Sequence, residues 1–84
     1  MVATKKEIER WLQELYDNDH YSHMMVVCDT FDWDDYPVYV KDCENIKVKE
    51  SEYRGKSMQQ VMEVYSKNHT KEEQMDERRA FHYD

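Results

Sequence analysis

Met24–Lys41 reads MMVVCDTFDWDDYPVYVK: an apolar run enters an acid-rich centre with one tryptophan, and a shorter apolar run leaves it. The pattern predicts a β-hairpin with arms His23–Thr30 and Tyr36–Val40. The run Met24–Cys28 has no polar break, which suits a strand covered on both faces. Pro37 fits only near a strand start or on an edge, because it has no N–H for the ladder. Pairing Cys28 with Val38 and Val26 with Val40 puts Met24, Val26, Cys28, Val38 and Val40 on one face. Asp29 then lies opposite, with Met25, Val27 and Tyr39. A slip of one residue would bring Asp29 onto the face of Val38 and Val40, at the cost of burying a carboxylate. This register leaves a tight tip at Asp32-Trp33-Asp34.

Outward from the hairpin, the chain reads as helices. Thr4 with Glu7 makes a capping box, Ala3 and Ile8 are spaced as a staple, and Ile8, Trp11, Leu12, Leu15 and Tyr16 form one apolar stripe. Asp17-Asn18-Asp19 ends that helix. Residues 42–56 carry two patterns. Ile46 and Val48 alternate with Lys47 and Lys49 as in a strand, whereas Cys43, Ile46, Glu50 and Tyr53 have helical spacing, with Gly55 placed for a left-handed cap. A short helix is the preferred reading and a third strand the alternative. Ser57 with Gln60 is a second capping box, and Met58, Val61, Met62 and Tyr65 form a stripe at helical spacing with Val64 at its edge, predicting a helix from that cap up to the break at Asn68-His69. Thr70 with Glu73 starts a further capped segment, Lys71 to Ala80, so polar that a second subunit is a natural support for it.

Eighty-four residues with 39% apolar and 37% charged side chains make one small domain. A chain of that length buries only about 60–65% of its unfolded surface. One Gly and one Pro leave little room for long irregular loops. The sequence shows no secretory apolar region and no run near the roughly 20 residues of a spanning helix, so a soluble, cytoplasmic protein is expected. The net charge of −7 is unevenly spread: residues 11–40 hold seven carboxylates and no Lys or Arg, while the flanking segments nearly balance. Direct nucleic-acid binding by residues 11–40 is thereby disfavoured, since phosphate contacts need cations. A basic partner surface is favoured instead. Cys28 and Cys43 form no disulfide framework and are expected as free thiols.

The candidate site is the hairpin tip, Asp29, Asp32, Trp33, Asp34, Asp35 and Tyr36. Turn propensity and edge protection account for the aspartates, but not for Trp33, and an aromatic anchor ringed by carboxylates is the composition of a protein-binding hot spot. The tip lacks the spacing, glycine and closing glutamate of a calcium loop. His20 and His23, with Cys28 and Cys43 beyond, lack the tight pairing of a zinc site. No catalytic residues, no metal ligands and no cofactor are assigned: there is no phosphate loop and no G-x-S-x-G, and Cys28 sits in an apolar strand that would raise its pKa. A second possibility is a small-ligand or nucleotide sponge, with Tyr39, Arg78, Arg79 and His82 lining a pocket between subunits. A metal-dependent enzyme is a third.

At VVCDTFDWDDYPVYV, MQQVMEVY and RAFHYD the chain resembles a group of small proteins encoded by bacteriophages and bacterial mobile elements. That group is similar in having a helix, a CDTFD…DYPVYV segment, a helix of the MQ-x-VMEVY type and an RAFH-type ending. The chain departs from the group between Tyr16 and His23, where DNDHYS replaces a Gly-containing turn. The resemblance implies no catalytic residues. It implies a small acidic accessory protein of phage type, a kind that acts by binding host machinery, defence systems included.

The expected fold is therefore α+β: an N-terminal helix, an antiparallel hairpin with a possible third strand, then one or two C-terminal helices on the sheet. With both helices on one face, the other face (Met25, Val27, Phe31, Tyr39) would need the terminal segment or a second copy, which predicts a homodimer. The expected function is non-enzymatic binding of a basic host protein through the Trp-tipped hairpin.

Overall fold

The computed structural model describes residues 4–77 and 80–83. Its elements are α1 (Lys5–Asp17), β1 (Tyr21–Asp29), β2 (Asp34–Lys41), α2 (Ile46–Arg54), β3 (Gln59–Ser66) and α3 (Lys71–Asp76). The strands form one antiparallel sheet in the order β2-β1-β3, which puts the apolar run of β1 in the middle. The class is α+β, with the N-terminal helix and sheet as expected. No helix among the described residues is long and apolar enough to cross a membrane.

The local reasons are legible in the caps. Thr4 Oγ1 accepts the Glu7 N–H (3.2 Å), and α1 buries Ile8, Leu12 and Leu15. Ala3, the other half of the expected staple, lies outside the described residues. Asn45 Oδ1 accepts the Lys47 and Val48 N–H groups (2.9 and 3.3 Å) and starts α2, so the helical reading of 46–54 holds. Gly55 ends α2 at φ −79°, with no left-handed turn. Thr70 caps α3, which stops at Asp76 rather than running to Ala80.

Residues 59–66 are a strand, not the expected helix. The cause is a β-bulge. Val26 pairs with Glu63, but Val27 pairs with Val61, so Met62 is an extra residue on β3. Val61 and Val64, three apart, therefore reach the same face, and Tyr65 reaches the other. A bulged strand thus reproduces the i, i+3 spacing of a helical stripe.

The hairpin exists, but its register differs from the expected one by three residues. Met25 pairs with Val38, Val26 with Pro37, Val27 with Tyr36, Cys28 with Asp35 and Asp29 with Asp34. The tip is a four-residue loop, 30–33. With Met25 opposite Val38 and His23 opposite Val40, Asp29 does share the face of Val38 and Val40, yet it is not buried there: it sits at the sheet rim, where its Oδ1 accepts the Phe31 N–H (2.9 Å). The rule that kept it off that face assumed a core reaching the strand end, and the core stops short. This register also solves the Pro37 problem. Asp42 donates its N–H to His20 O (2.8 Å) on the β1 side. By alternation Val40, Val38 and Tyr36 bond β1, and Pro37 faces outward, where no donor is needed.

The sheet is covered on both sides. One core joins α1 to Met24, Val26, Tyr65 and Ala80, with Met75 of α3 against it. The second joins Ile46 of α2 to Met25, Val27, Val40, Val61 and Val64, with Tyr53 and Tyr83 packed on it. The helices therefore lie on opposite faces. Tyr39 belongs to the first core and Phe31 is exposed, so neither lies on a bare sheet face. An uncovered face no longer calls for a second copy.

The outer edge of β3 is closed over its second half. Val64 donates to Ala80 O (2.8 Å) and accepts from the His82 N–H (3.0 Å), so the segment around Phe81 lies parallel to β3. At Ser66 a side chain takes the part of a strand: Gln74 Oε1 accepts the Ser66 N–H (2.7 Å) and Gln74 Nε2 donates to Ser66 O (2.9 Å). Gln74 Nε2 also donates to Tyr16 Oη (2.8 Å). This buried amide, more than its sparse apolar side chains, fixes the polar helix α3 on the monomer.

Candidate functional site: the exposed end of the sheet

The loop after β1 is tied down by its own backbone. Thr30 donates its N–H to Met58 O (2.8 Å), Phe31 to Asp29 Oδ1 and Trp33 to Asp29 O (2.6 Å). The first of these bonds joins the hairpin tip to the residue that precedes β3. Trp33 (φ 58°) and Met58 (φ 62°) are in the left-handed region, where a side chain costs about 1–2 kcal/mol. Both are large and apolar, and both lie at this end of the sheet. Phe31 is 70% exposed, Trp33 62% and Met58 54%. Asp32 and Asp34 are exposed among them.

The six expected tip residues thus divide. Asp32, Trp33 and Asp34 form an outward surface. Asp29 spends its carboxylate on the loop. Asp35 turns to the α1 side, opposite Cys28, whose thiol is pushed up by burial and then by the Asp35 carboxylate. Tyr36 packs beneath the other face and donates its hydroxyl to Gln59 Oε1 (2.9 Å); burial raises its pKa. Phe31 and Met58 complete the surface and were missed. In the sequence Phe31 alternates as a sheet-face residue and Met58 falls at helical spacing, so neither points to the tip.

Of the alternative ligand set, the two described members, Tyr39 and His82, lie at opposite edges of the sheet. Tyr39, on β2, stacks on Tyr21 (ring centroids 4.8 Å apart) and donates its hydroxyl to Trp11 O (3.0 Å). Burial, and then Glu14, push its pKa up to about 12. His82 lies beyond the opposite edge, beside β3, with Nε2 2.9 Å from a Glu77 oxygen and its ring 4.2 Å from that of His69. Arg78 and Arg79 lie outside the described residues.

Among the described residues no three His, Cys, Asp or Glu side chains converge as a metal would require. His20 and Cys43 share a surface hollow of about 420 Å³ with Asn18, Tyr21, Lys41 and Asp42. His23 bonds Ser22 Oγ through Nδ1 (2.8 Å), and Cys28 lies near the far end of β1. Both cysteines are free thiols. Compared with protein-family models, curated proteins and solved structures, the chain matches none.

Proposed function

We propose that this chain is a non-enzymatic binding protein that presents Trp33, with Phe31 and Met58 beside it and Asp32 and Asp34 around it, to a basic surface of another protein. One observation carries the reading: both described non-glycine residues at positive φ are large, exposed apolar side chains at the same end of the sheet. Stability alone favours glycine or asparagine at such positions and polar residues at such exposure. A rigid aromatic anchor with a charged rim is how a small protein interface concentrates its energy. The carboxylates supply steering and exclusion of acidic competitors. The resemblance to phage-encoded proteins supplies a setting: an accessory protein in the cytoplasm of a bacterial host, bound to a host protein as an inhibitor or anti-defence factor.

The experiment is affinity capture from bacterial lysate with the wild type, with Trp33→Ala and with Asp32→Asn/Asp34→Asn. A partner held by the wild type should be lost with Trp33→Ala, since truncating an anchor costs about 2 kcal/mol or more, roughly 30-fold in affinity. The double amide variant should retain the partner only at low salt. Identical partner lists for all three proteins would discard the tip as the contact.

A further inference from the structure

The two sheet edges are treated differently by the sequence. The outer edge of β2 carries Asp34, Asp35, the donorless Pro37 and Lys41, whose N–H is taken by Glu44 Oε1 (3.1 Å). Those are the usual guards against strand addition. β3 has none in its first half: residues 57–62 read SMQQVM, without a formal charge, in a chain that is 37% charged. Its second half is closed by the Phe81 segment at Val64 and by the Gln74 amide at Ser66. Met58 O bonds Thr30 on the β1 side, so alternation turns the N–H and C=O of Gln59 and Val61 outward. Among the described residues no group takes them. They face a groove of about 420 Å³ lined by Arg54, Gln59, Gln60, Val61 and Met62. Arg54 is neutralised by Glu50 (3.0 Å), so the groove itself repels neither sign.

We infer that this open half-edge receives an extended, basic segment of the partner, which adds a strand beside Gln59–Val61 and runs past Met58 towards the tip carboxylates. The inference rests on the binding reading above and names its second contact. Strand addition supplies affinity through main-chain bonds, with specificity left to side chains at the ends. Charge complementarity selects the occupant. A segment leaving the groove at Met58 comes within reach, by a Lys or Arg side chain, of Asp29 and Asp32, because the Thr30–Met58 bond holds loop and edge together. A second copy of this chain would instead bring another charge of −7 to the same place.

The test uses a synthetic, end-blocked peptide of alternating valine and threonine flanked by lysines, added to the whole protein and followed by amide NMR and hydrogen exchange. The Gln59 and Val61 amides should shift and gain protection. N-methylation of alternate peptide amides should weaken binding at least tenfold, and replacing the lysines by glutamates should weaken it similarly. Equal binding of the N-methylated peptide, or no binding at millimolar concentration, overturns the inference. Shifts confined to residues 30–33 also overturn it while leaving the tip reading intact, and loss of the tip reading is scored separately by Trp33→Ala in the capture experiment. Sedimentation of the protein alone as a dimer, with Gln59 and Val61 protected, overturns it in favour of a second copy.

Discussion

Gln74→Leu should be among the most damaging substitutions in the chain, although it exchanges a polar residue for an apolar one of similar size. The amide accepts from the Ser66 N–H (2.7 Å) and donates to Ser66 O (2.9 Å), both closed to water, and donates to the half-buried Tyr16 Oη (2.8 Å). Leucine takes these bonds from two main-chain groups at the buried end of β3. Each costs about 1–3 kcal/mol in desolvation when its partner is removed, and the added apolar burial returns about 1 kcal/mol. The net loss is about 2–4 kcal/mol, against a stability of about 4–13 kcal/mol for a chain of this length. Urea unfolding followed by circular dichroism should show the midpoint fall with an unchanged slope, and the melting temperature drop by roughly 10–20 °C. Gln13→Leu is the control, since Gln13 is exposed and bonds Asp17 and Lys71 at the surface; it should stay within about 0.5 kcal/mol of wild type. A loss below about 1 kcal/mol for Gln74→Leu would show that the amide does not hold the β3 edge.

Three other outcomes follow from the same geometry. Deleting Met62 removes the bulge and leaves a regular ladder, with Val61 still opposite Val27, Glu63 opposite Val26 and Tyr65 opposite Met24. Every side chain keeps its face, so both this deletion and Met62→Ala should keep a cooperative thermal transition; its loss in the deletion alone would show that the bulge itself is needed for the packing. Pro37→Val restores an outward N–H in the middle of β2 and should raise the light-scattering aggregation rate without lowering the melting temperature by more than a few degrees. The pKa values of Tyr16, Tyr36, Tyr39, Tyr65 and Tyr83 are all raised, chiefly by burial. Between about pH 10 and 12 the unfolded chain therefore binds fewer protons than the folded one. That part of the stability is complete below pH 10 and falls as pH rises through the folded values, which for Tyr39 means about 12. Urea midpoints at pH 9, 10.5 and 11.5 should fall in that order; a flat series would mean that these hydroxyls titrate alike in both states.

What the sequence declared openly was whatever is written in local chemistry. The Thr4 and Asn45 caps and the Ile8–Leu12–Leu15 stripe are contiguous signals, and both helices formed where those signals stood. The hairpin was visible for the same reason, but its register was not, because the burial of Asp29 depends on where the core ends and not on which face it points to. β3 carries a helical pattern because a single inserted residue, Met62, turns a period of two into an apparent period near three. The candidate surface suffered accordingly. Trp33 stood out by composition, while Met58 became visible only once β3 was a strand whose start is tied to Thr30. Gln74 carries no recognisable sequence signal at all, since its role depends on Ser66 arriving beside it.

The central position of β1 also governs the order of assembly. Its hairpin partner is one short loop away, but its other neighbour waits for a distant part of the chain: Met24 meets Tyr39 on one side and Tyr65 on the other. Closing the longer span is the slower step, so the hairpin has an interval in which the run Met24–Cys28 shows an unpaired edge. A short stretch of that composition is prone to assemble with copies of itself. The aspartates at 29, 32, 34 and 35 border that run, and their mutual repulsion between molecules protects the half-built sheet. The charge that rims the exposed tip in the finished protein thus serves first as a gatekeeper during folding.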